Sequence, residues 1–180
     1  MKAAHPQDQV ETWCSAEARF GLQPVTRRVW APKGERPVAQ VAPAYEWLWL
    51  YAAARPSSGE SFWLSLPRLD TEMVQLFLAE FAKARAPTGK QIILYWDGAP
   101  AHRAQGLRVP ERITLVQGLP YTPELNPAEN LWPLVKEGVA NGCFKDLSGL
   151  ERRVCRRVRR ISEEREVIAS RLNYHWWPSG

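Results

Sequence analysis

Two acidic residues of this chain stand where carboxylates often do chemistry. Asp97 directly follows the apolar run "IILYW" (92–96) and comes five residues before His102. Glu129 lies in the Pro-rich segment "YTPELNPAENLW" (121–132). Each also has a purely structural explanation, because Asp-Gly is common turn chemistry and an acidic residue in a first helical turn complements the helix dipole.

Together the two carboxylates suit the binding of a divalent cation. Mg²⁺ prefers hard oxygen ligands and usually takes one or two carboxylates together with water and substrate phosphates. Asp97 is predicted to follow a buried parallel strand, and α/β proteins bind ligands beyond the carboxyl ends of such strands. Glu129, at the start of a helix, could approach the same edge. The pair therefore favours a metal site over two unrelated structural carboxylates.

The elements that must position these residues begin with five strands. Alternating or continuous apolar runs predict strands at 10–16, 45–53, 61–66, 91–96 and 111–118. The stretch 28–37 has the composition of a strand end and turn. The last two strands come after a predicted helix along the chain. Both are short and apolar, which is typical of parallel strands covered on both faces.

Helical spacing and capping residues predict the rest. Asn126 is expected to cap the helix that carries Glu129, with Pro127 at its first position, where no backbone N–H is needed. Pro133 lacks the N–H that would reach back to the Glu129 carbonyl, so we predict a kink or a loosened first turn there. Three other helices are predicted. One begins at a cap formed by Asp70 or Thr71, and the other two span about 147–161 and 162–172.

This order of elements predicts an α/β fold with a mixed sheet. Three antiparallel strands lead through a right-handed crossover into parallel strands, and helices cover both faces. Ribonuclease-H-like folds have this order, although the pattern alone is compatible with other α/β arrangements. One domain accounts for all 180 residues.

Composition excludes several classes of protein. The chain is 45% hydrophobic and 24% charged, as in globular domains, and no apolar run reaches the ~20 residues of a membrane span. The first ten residues lack the apolar core of a secretory signal. Three isolated cysteines suit a reducing cytoplasm. A net charge of +5 permits a nucleic-acid partner without requiring one.

Three segments of the chain resemble a known family. "YWDGAPAH" (95–102) and "YTPELNPAENLW" (121–132) resemble the second and third signature segments of mariner-superfamily DDE transposases, in the bacterial insertion-sequence branch. "WCSAEARFGLQPVTRRVWAPKGERP" (13–37) is similar to the first segment along its length. The resemblance implies a ribonuclease-H-like catalytic domain with three acidic residues, of which Asp97 is the second and Glu129 the third.

The same resemblance implies an activity, cofactors and a location. Members of the family cleave DNA and transfer strands during transposition of an insertion sequence, with two Mg²⁺ or Mn²⁺ ions at the acidic residues. Transposon ends and target DNA would be the partners, in the bacterial cytoplasm with the nucleoid. His102 occupies the place of a His in the family motif, which implies an auxiliary role beside the scissile phosphate or water.

The first acidic position departs from the family pattern. The family has an Asp immediately before the Glu of "EARFG", where this chain has Ala16. A methyl group cannot bind a metal ion, so we expect an incomplete two-metal site and impaired cleavage. Glu17 is the candidate substitute. Because successive side chains of a strand point to opposite faces, Glu17 would need a bulge or a strand end to replace the lost ligand.

Several arginines are candidate DNA contacts, although ordinary solvated surface charge explains Arg19, Arg27 and Arg28 equally well. These candidates are Arg19, Arg27, Arg28, Arg103, Arg152 and Arg156. The segment "ERRVCRRVRR" (151–160) carries six arginines against four nearby glutamates. This excess favours the binding of phosphates.

Two functions from different classes remain open. The first is a transposase catalytic domain with impaired activity. The second is a non-catalytic remnant that binds DNA or dimerises. The segment "NYHWWP" (173–178) is a candidate tether or dimer contact, and the sequence does not decide between the two. A helix-turn-helix pattern is absent before the first strand, so we expect a partner chain to supply specific DNA recognition. A cellular ribonuclease or resolvase of the same fold is disfavoured by "ELNPAENLW" (124–132).

Overall fold

The computed structural model describes residues 9–23, 28, 30–35, 38, 45–86, 90–97, 106–119 and 122–177. The strands are β1 (Gln9–Gly21), β2 (Trp47–Ala54), β3 (Ser61–Leu66), β4 (Lys90–Trp96) and β5 (Ile113–Gln117). The helices are α1 (Thr71–Arg85), two short 3₁₀ helices (Pro123–Leu125 and Pro127–Asn130), α2 (Leu131–Val139), α3 (Leu147–Glu163) and α4 (Arg165–Leu172). The predicted roles of Arg27, His102 and Arg103 fall on residues outside the described ones. Of the strand end and turn predicted at 28–37, the described residues contain a turn that includes Gly34 but no strand, so the strand end is wrong there.

The five strands form one sheet in the order β3-β2-β1-β4-β5. β1 and β2 pair antiparallel, as do β2 and β3, whereas β4 pairs in parallel with both β1 and β5. Along the chain, α1 connects the edge strand β3 to β4, on the far side of β1. The predicted mixed α/β sheet, with an antiparallel meander followed by parallel strands, is therefore confirmed.

Helices cover both faces of this sheet, and alternation along β1 divides its side chains between two cores. Trp13 faces α1, where its ring meets the edge of Phe81 at 5.2 Å between centroids. Cys14 and Ala16 face the opposite core, which α2, α3 and α4 close. This second core contains the buried residues Ala18, Phe20, Ala128, Leu131, Val135, Leu150, Val154 and Ile168. Successive β1 positions therefore have different surroundings.

β1 is longer than predicted, since it continues beyond Ala16 to Gly21. Its register with β2 runs without interruption up to the pair Gly21–Trp47. Small residues such as Ala16 and Ala18 give a weak apolar signal, which is why alternation failed to extend the strand. The pairing partner β2 stabilises this part of β1.

The segment that follows the Pro-rich loop does not begin as an α-helix. Residues Pro127–Asn130 form a 3₁₀ helix, and α2 starts only at Leu131. Pro133 has no N–H to donate to the Glu129 carbonyl. The Leu131 N–H instead donates to the carbonyls of Ala128 and Glu129. The predicted loosened first turn at Glu129 is therefore confirmed.

The arginine-rich segment forms α3, which is two residues longer than predicted. Asp146 caps its start, because its Oδ1 accepts a hydrogen bond of 2.7 Å from the Gly149 N–H. One face of the helix is buried, through Leu150, Val154, Val158 and Ile161. In the part of the chain that the structure describes, none of the helices has the length and apolar character needed to cross a bilayer.

A buried ion-pair cluster lies near the start of β1. Glu11 is only 3% exposed, and its carboxylate accepts from Lys90 at 2.8 Å and pairs with Arg55 at 3.0 Å. The indole N–H of Trp13 donates a further hydrogen bond at 3.0 Å. Burial alone would raise the pKa of Glu11, but these hydrogen bonds and positive charges lower it overall below its usual value of 4.5. The sequence pattern gave no indication of this cluster.

Candidate active site

Asp97 lies directly beyond β4, which ends at Trp96. In the parallel register of β1 and β4, Cys14 is opposite Tyr95. Continuing that register by two residues places Asp97 beside Ala16. Trp96 packs in the core on the α1 side, so alternation directs Tyr95 and Asp97 towards the face that α2–α4 cover. The strand end thus presents a carboxylate next to the Ala16 methyl group.

Asn126 holds the 3₁₀ helix that carries Glu129 against β1. This side chain is buried, and its Oδ1 accepts from the Ala128 N–H at 3.1 Å. Its Nδ2 donates to the carbonyl of Ser15 at 2.8 Å. The predicted cap is confirmed, and the second hydrogen bond ties the helix to the residue immediately before Ala16. Glu129 is therefore brought to the same end of β1 as Asp97.

The pKa of the Glu129 carboxyl is raised above its ordinary value. Burial is the main cause, and the negative charges of Asp97 and Glu17 add to it. The charge of Lys136 and the indole of Trp132 act in the opposite direction. Asp97 and Glu17, distant from Glu129 along the chain, are thus close enough for their charges to act on it. A bound cation would relieve the repulsion.

Glu17 is directed to the opposite face of the sheet from Ala16. Its register partner on β2 is Tyr51, which packs in the core on the α1 side, whereas Ala16 is opposite Ala52 in the other core. Burial raises the pKa of the Tyr51 phenol, and the charges of Glu17 and Asp70 raise it further. Because β1 and β2 pair here without a bulge, Glu17 lacks the local distortion that a substitute ligand was predicted to need.

Position 16 is the point of β1 that faces the two family carboxylates. Ala16 is 1% exposed and shares its core with Cys14, Ala52 and Ala128. Within the described residues, no three or more His, Cys, Asp and Glu side chains are grouped so that they could hold a metal ion. Among the described residues, the predicted ligands that the geometry directs to this face are Asp97 and Glu129.

Comparison with known proteins decides the family. The model of the DDE superfamily endonuclease family matches residues 11–151, which include the β1 segment, Asp97 and Glu129. This chain belongs to the DDE superfamily endonuclease family. The match covers most of the chain and confirms the resemblance of the three signature segments.

One curated relative and several solved structures are similar to this DDE domain. The uncharacterized protein y4pE/y4sA of Sinorhizobium fredii (strain NBRC 101917 / NGR234) is 36% identical over 110 residues, which are 61% of this chain and 81% of the relative. The Mos1 mariner paired-end complex with Mn has a TM-score of 0.60 at 16% identity, over 91% of this chain. The same complex with Mg has a TM-score of 0.58 at 16% identity and 91% coverage. The DDE domain spans 56% of each of these two Mos1 chains, and at such identity the likeness shows the fold alone.

Aromatic residues near the C-terminus contact chain neighbours of Asp97 and Glu129. The ring of Trp177 meets the edge of Tyr95, two residues before Asp97, at 5.7 Å between centroids. The Asn130 Nδ2 donates to the hydroxyl of Tyr174 at 2.8 Å. The sequence assigned this segment to a dimer contact or a tether, and it gave no signal that the segment reaches the candidate site.

The predicted DNA-contacting arginines that the structure describes lie on the surface of the DDE domain. Arg19 is exposed, with its guanidinium 5.1 Å from the ring centre of Trp47. Arg28, Arg152 and Arg156 are also exposed. Surface exposure is compatible with contact to a phosphate backbone, and their role in DNA binding stays a prediction.

Replacing Asn126 should loosen the connection between β1 and the Glu129 helix. Asn126→Ala removes both hydrogen bonds and leaves the Ser15 carbonyl and the Ala128 N–H unsatisfied in the core. We expect a loss of about 2 kcal/mol in the free energy of unfolding, measured by urea denaturation. Asn130→Ala, which removes partly exposed hydrogen bonds from the next helical turn, is the matched control and should cost less. Equal losses would contradict a specific role for Asn126.

Proposed function

We propose that this DDE domain is a transposase catalytic domain that has kept its fold and two acidic ligands but has lost efficient DNA cleavage. The observation that carries this proposal is the Ala16 methyl group on β1. Continuing the parallel register of β1 and β4 brings this methyl group alongside Asp97. The methyl group lies on the face of the sheet against which Asn126 holds the Glu129 helix.

Divalent cations fit the donor set that remains. Asp97 and Glu129 would hold the ion. Burial is the main reason that the pKa of Glu129 is raised, and a cation would offset the further contribution from the negative charges of Asp97 and Glu17. When bound, a pair of such ions activates the attacking oxygen and stabilises the leaving oxygen in phosphoryl transfer. Ala16 cannot contribute the third carboxylate. The similar Mos1 structures are complexes with Mn and with Mg, which supports the same class of metal here.

DNA is the proposed substrate of the domain. The Mos1 chains of similar fold include a paired-end complex with the left transposon end. The net charge of +5 favours a polyanionic partner, and Arg19, Arg28, Arg152 and Arg156 are exposed for contact with it. His102 keeps the auxiliary role predicted from the sequence, whereas the uninterrupted pairing of β1 with β2 argues against Glu17 as the substitute ligand. A homodimer and a partner chain that recognises the DNA ends also stay predictions.

A metal titration tests the proposed site directly. Ala16→Asp should be less stable than the wild-type chain without metal, because it adds a third buried carboxylate. With Mn²⁺ at about 100 times its dissociation constant for Ala16→Asp, we expect the free energy of unfolding of this variant to rise by about 2.7 kcal/mol. That gain corresponds to a rise of roughly 5–10 °C in the melting temperature.

Ala16→Asn is the matched control, since the amide has the same shape and no charge. It should show a much smaller response to Mn²⁺. If the Asp and Asn variants respond alike in a thermal melt, position 16 is not part of a metal site and the proposal fails.

The alternative function is a non-catalytic remnant that competes for DNA. Ala16 also favours this alternative, because a domain that lacks the first metal ligand can still bind DNA through its basic surface. This alternative predicts DNA binding that depends on salt and is independent of Mg²⁺. Binding that requires the metal would exclude it.

A further inference from the structure

Two arginines of α3 are fixed against the end of α2. The Nε–H of Arg153 donates to the Gly138 carbonyl at 2.8 Å, and the Nε–H of Arg157 donates to the Leu134 carbonyl at 2.8 Å. Arg157 also contacts Glu137 at 3.1 Å. The Gly138 carbonyl lies in the last turn of α2, where positive charge is favourable, and the Leu134 carbonyl lies one turn earlier. The hydrogen bonds to these carbonyls also hold two guanidinium groups in place.

Two further arginines complete a cleft next to this contact. A cavity of about 120 Å³ is lined by Gly138, Arg153, Arg156, Arg157 and Arg160. The volume exceeds the space needed for a single water molecule several-fold. The cleft therefore has room for a tetrahedral oxyanion between the guanidinium groups.

The positive charge of this cleft is poorly balanced. Arg153 and Arg157, like Arg156 and Arg160, are four residues apart on one helix, and like charges at this spacing repel. Among the described residues, Glu137 is the carboxylate that pairs with a cleft arginine, and no ion pair links Arg156 or Arg160 to a carboxylate. A bound anion would offset this repulsion.

Gly138 allows the arginines to lie close to α2. A Cβ atom at this position would be 2.5 Å from the Cγ of Arg157 and 2.8 Å from its Cδ. Glycine within a helix costs roughly 1 kcal/mol relative to alanine, so its presence here calls for a packing reason. The close approach of Arg157 supplies that reason.

We propose that this four-arginine cleft binds one phosphate group of a nucleic-acid backbone. Guanidinium groups donate paired, charge-assisted hydrogen bonds to phosphate oxygens, and two of the four are already held in position. The inference rests on the proposed function for the identity of the nucleic acid as DNA. The arginines lie beyond residues 11–151, so the family match does not assign them a role.

Duplex DNA binding in EDTA tests the cleft without involving the metal site. The double variant Arg156→Ala/Arg160→Ala is compared with Arg159→Ala/Arg165→Ala, which removes the same charge from α3 and α4 outside the cleft. Fluorescence anisotropy at several salt concentrations gives the slope of log affinity against log salt. Loss of one phosphate contact should reduce the magnitude of that slope by about 0.9 in the cleft variant. Equal changes in both variants would overturn the proposal.

Gly138→Ala provides a second test in which no charge changes. The added methyl group should displace Arg157 and weaken DNA binding several-fold, with the melting temperature as a control for folding. Unchanged affinity and slope in a folded variant would overturn the proposal.

Inorganic phosphate distinguishes an isolated phosphate site from a nucleic-acid site. We expect the wild-type chain to bind DNA far more tightly than inorganic phosphate, with both weakened in the cleft variant. Binding of inorganic phosphate at the cleft without any effect on DNA would overturn the assignment to a nucleic-acid backbone. These measurements use the Ala16 chain without metal, so their failure leaves the metal titration of Ala16→Asp unaffected.

Discussion

Ala16→Asp is expected to increase the rate of Mg²⁺-dependent DNA cleavage by at least about 100-fold over the wild-type chain. Removing a single group that stabilises charge in a transition state commonly costs about 100- to 1000-fold, and restoring one should recover a similar factor. The structure favours this outcome, because the new carboxylate would emerge from β1 beside Asp97, on the face to which Asn126 holds the Glu129 helix.

The measurement is nicking of a supercoiled plasmid that carries the element's ends, with Mg²⁺ or Mn²⁺. Ala16→Asn is the control for shape without charge, and it should stay as slow as the wild-type chain. Adding Asp97→Asn to Ala16→Asp should abolish the gain, since both carboxylates would then be needed for the same ions. A gain that survives Asp97→Asn would show that cleavage arises elsewhere, for instance from a contaminating nuclease.

Glu17 offers the competing explanation for any activity of the wild-type chain. Its side chain is directed to the Tyr51 side of the sheet, so we expect Glu17→Gln to leave the rate of wild-type cleavage within about threefold. Wild-type cleavage that is abolished by Glu17→Gln and recovered by Ala16→Asp would instead identify Glu17 as the substitute ligand. Robust wild-type cleavage that is insensitive to Glu17→Gln would contradict the proposed impairment.

Glu11→Gln is expected to lower the free energy of unfolding by about 3 kcal/mol. This value is at the low end of the range for breaking a buried ion pair, because Arg55 and Lys90 keep partial contact with water. The amide can still accept hydrogen bonds, but Lys90 loses its opposing charge and Arg55 keeps only the longer ion pair with Glu60 at 3.7 Å. For a domain of this size, the expected fall in melting temperature is roughly 6–12 °C.

The pH dependence of this effect follows from the lowered pKa of Glu11. A carboxyl group whose pKa is lower in the folded than in the unfolded state contributes stability above its ordinary pKa, and loses it as the pH falls through the folded value. The difference between wild type and Glu11→Gln should therefore be full at pH 7 and shrink below about pH 4.

Urea denaturation at several pH values measures this difference. Glu72→Gln, which removes an exposed glutamate from a surface ion pair with Arg68, is the control and should cost less than about 1 kcal/mol. A cost for Glu11→Gln as small as that of the control would show that the cluster does not stabilise the fold.

The sequence alone determined most of the local structure and the family. Alternation and apolar runs predicted all five strands. Capping residues predicted helix starts at Asp70 or Thr71 and at Asn126, and the structure has caps at Asp70 and Asn126. Pro133 predicted the loosened turn at Glu129 because the missing N–H is a local, covalent fact. The loss of the first acidic residue at Ala16 is likewise visible in the sequence, as a departure from a family pattern.

Only the tertiary structure decided how these parts meet. The parallel register that sets Ala16 beside Asp97, the direction of Glu17 towards Tyr51, and the ion pairs of Glu11 all depend on which strand lies next to which. The arginine cleft depends on α3 packing across the end of α2. Periodicity along a chain specifies which side chains share a face, whereas partners from distant segments are fixed by packing and register, which local sequence does not encode.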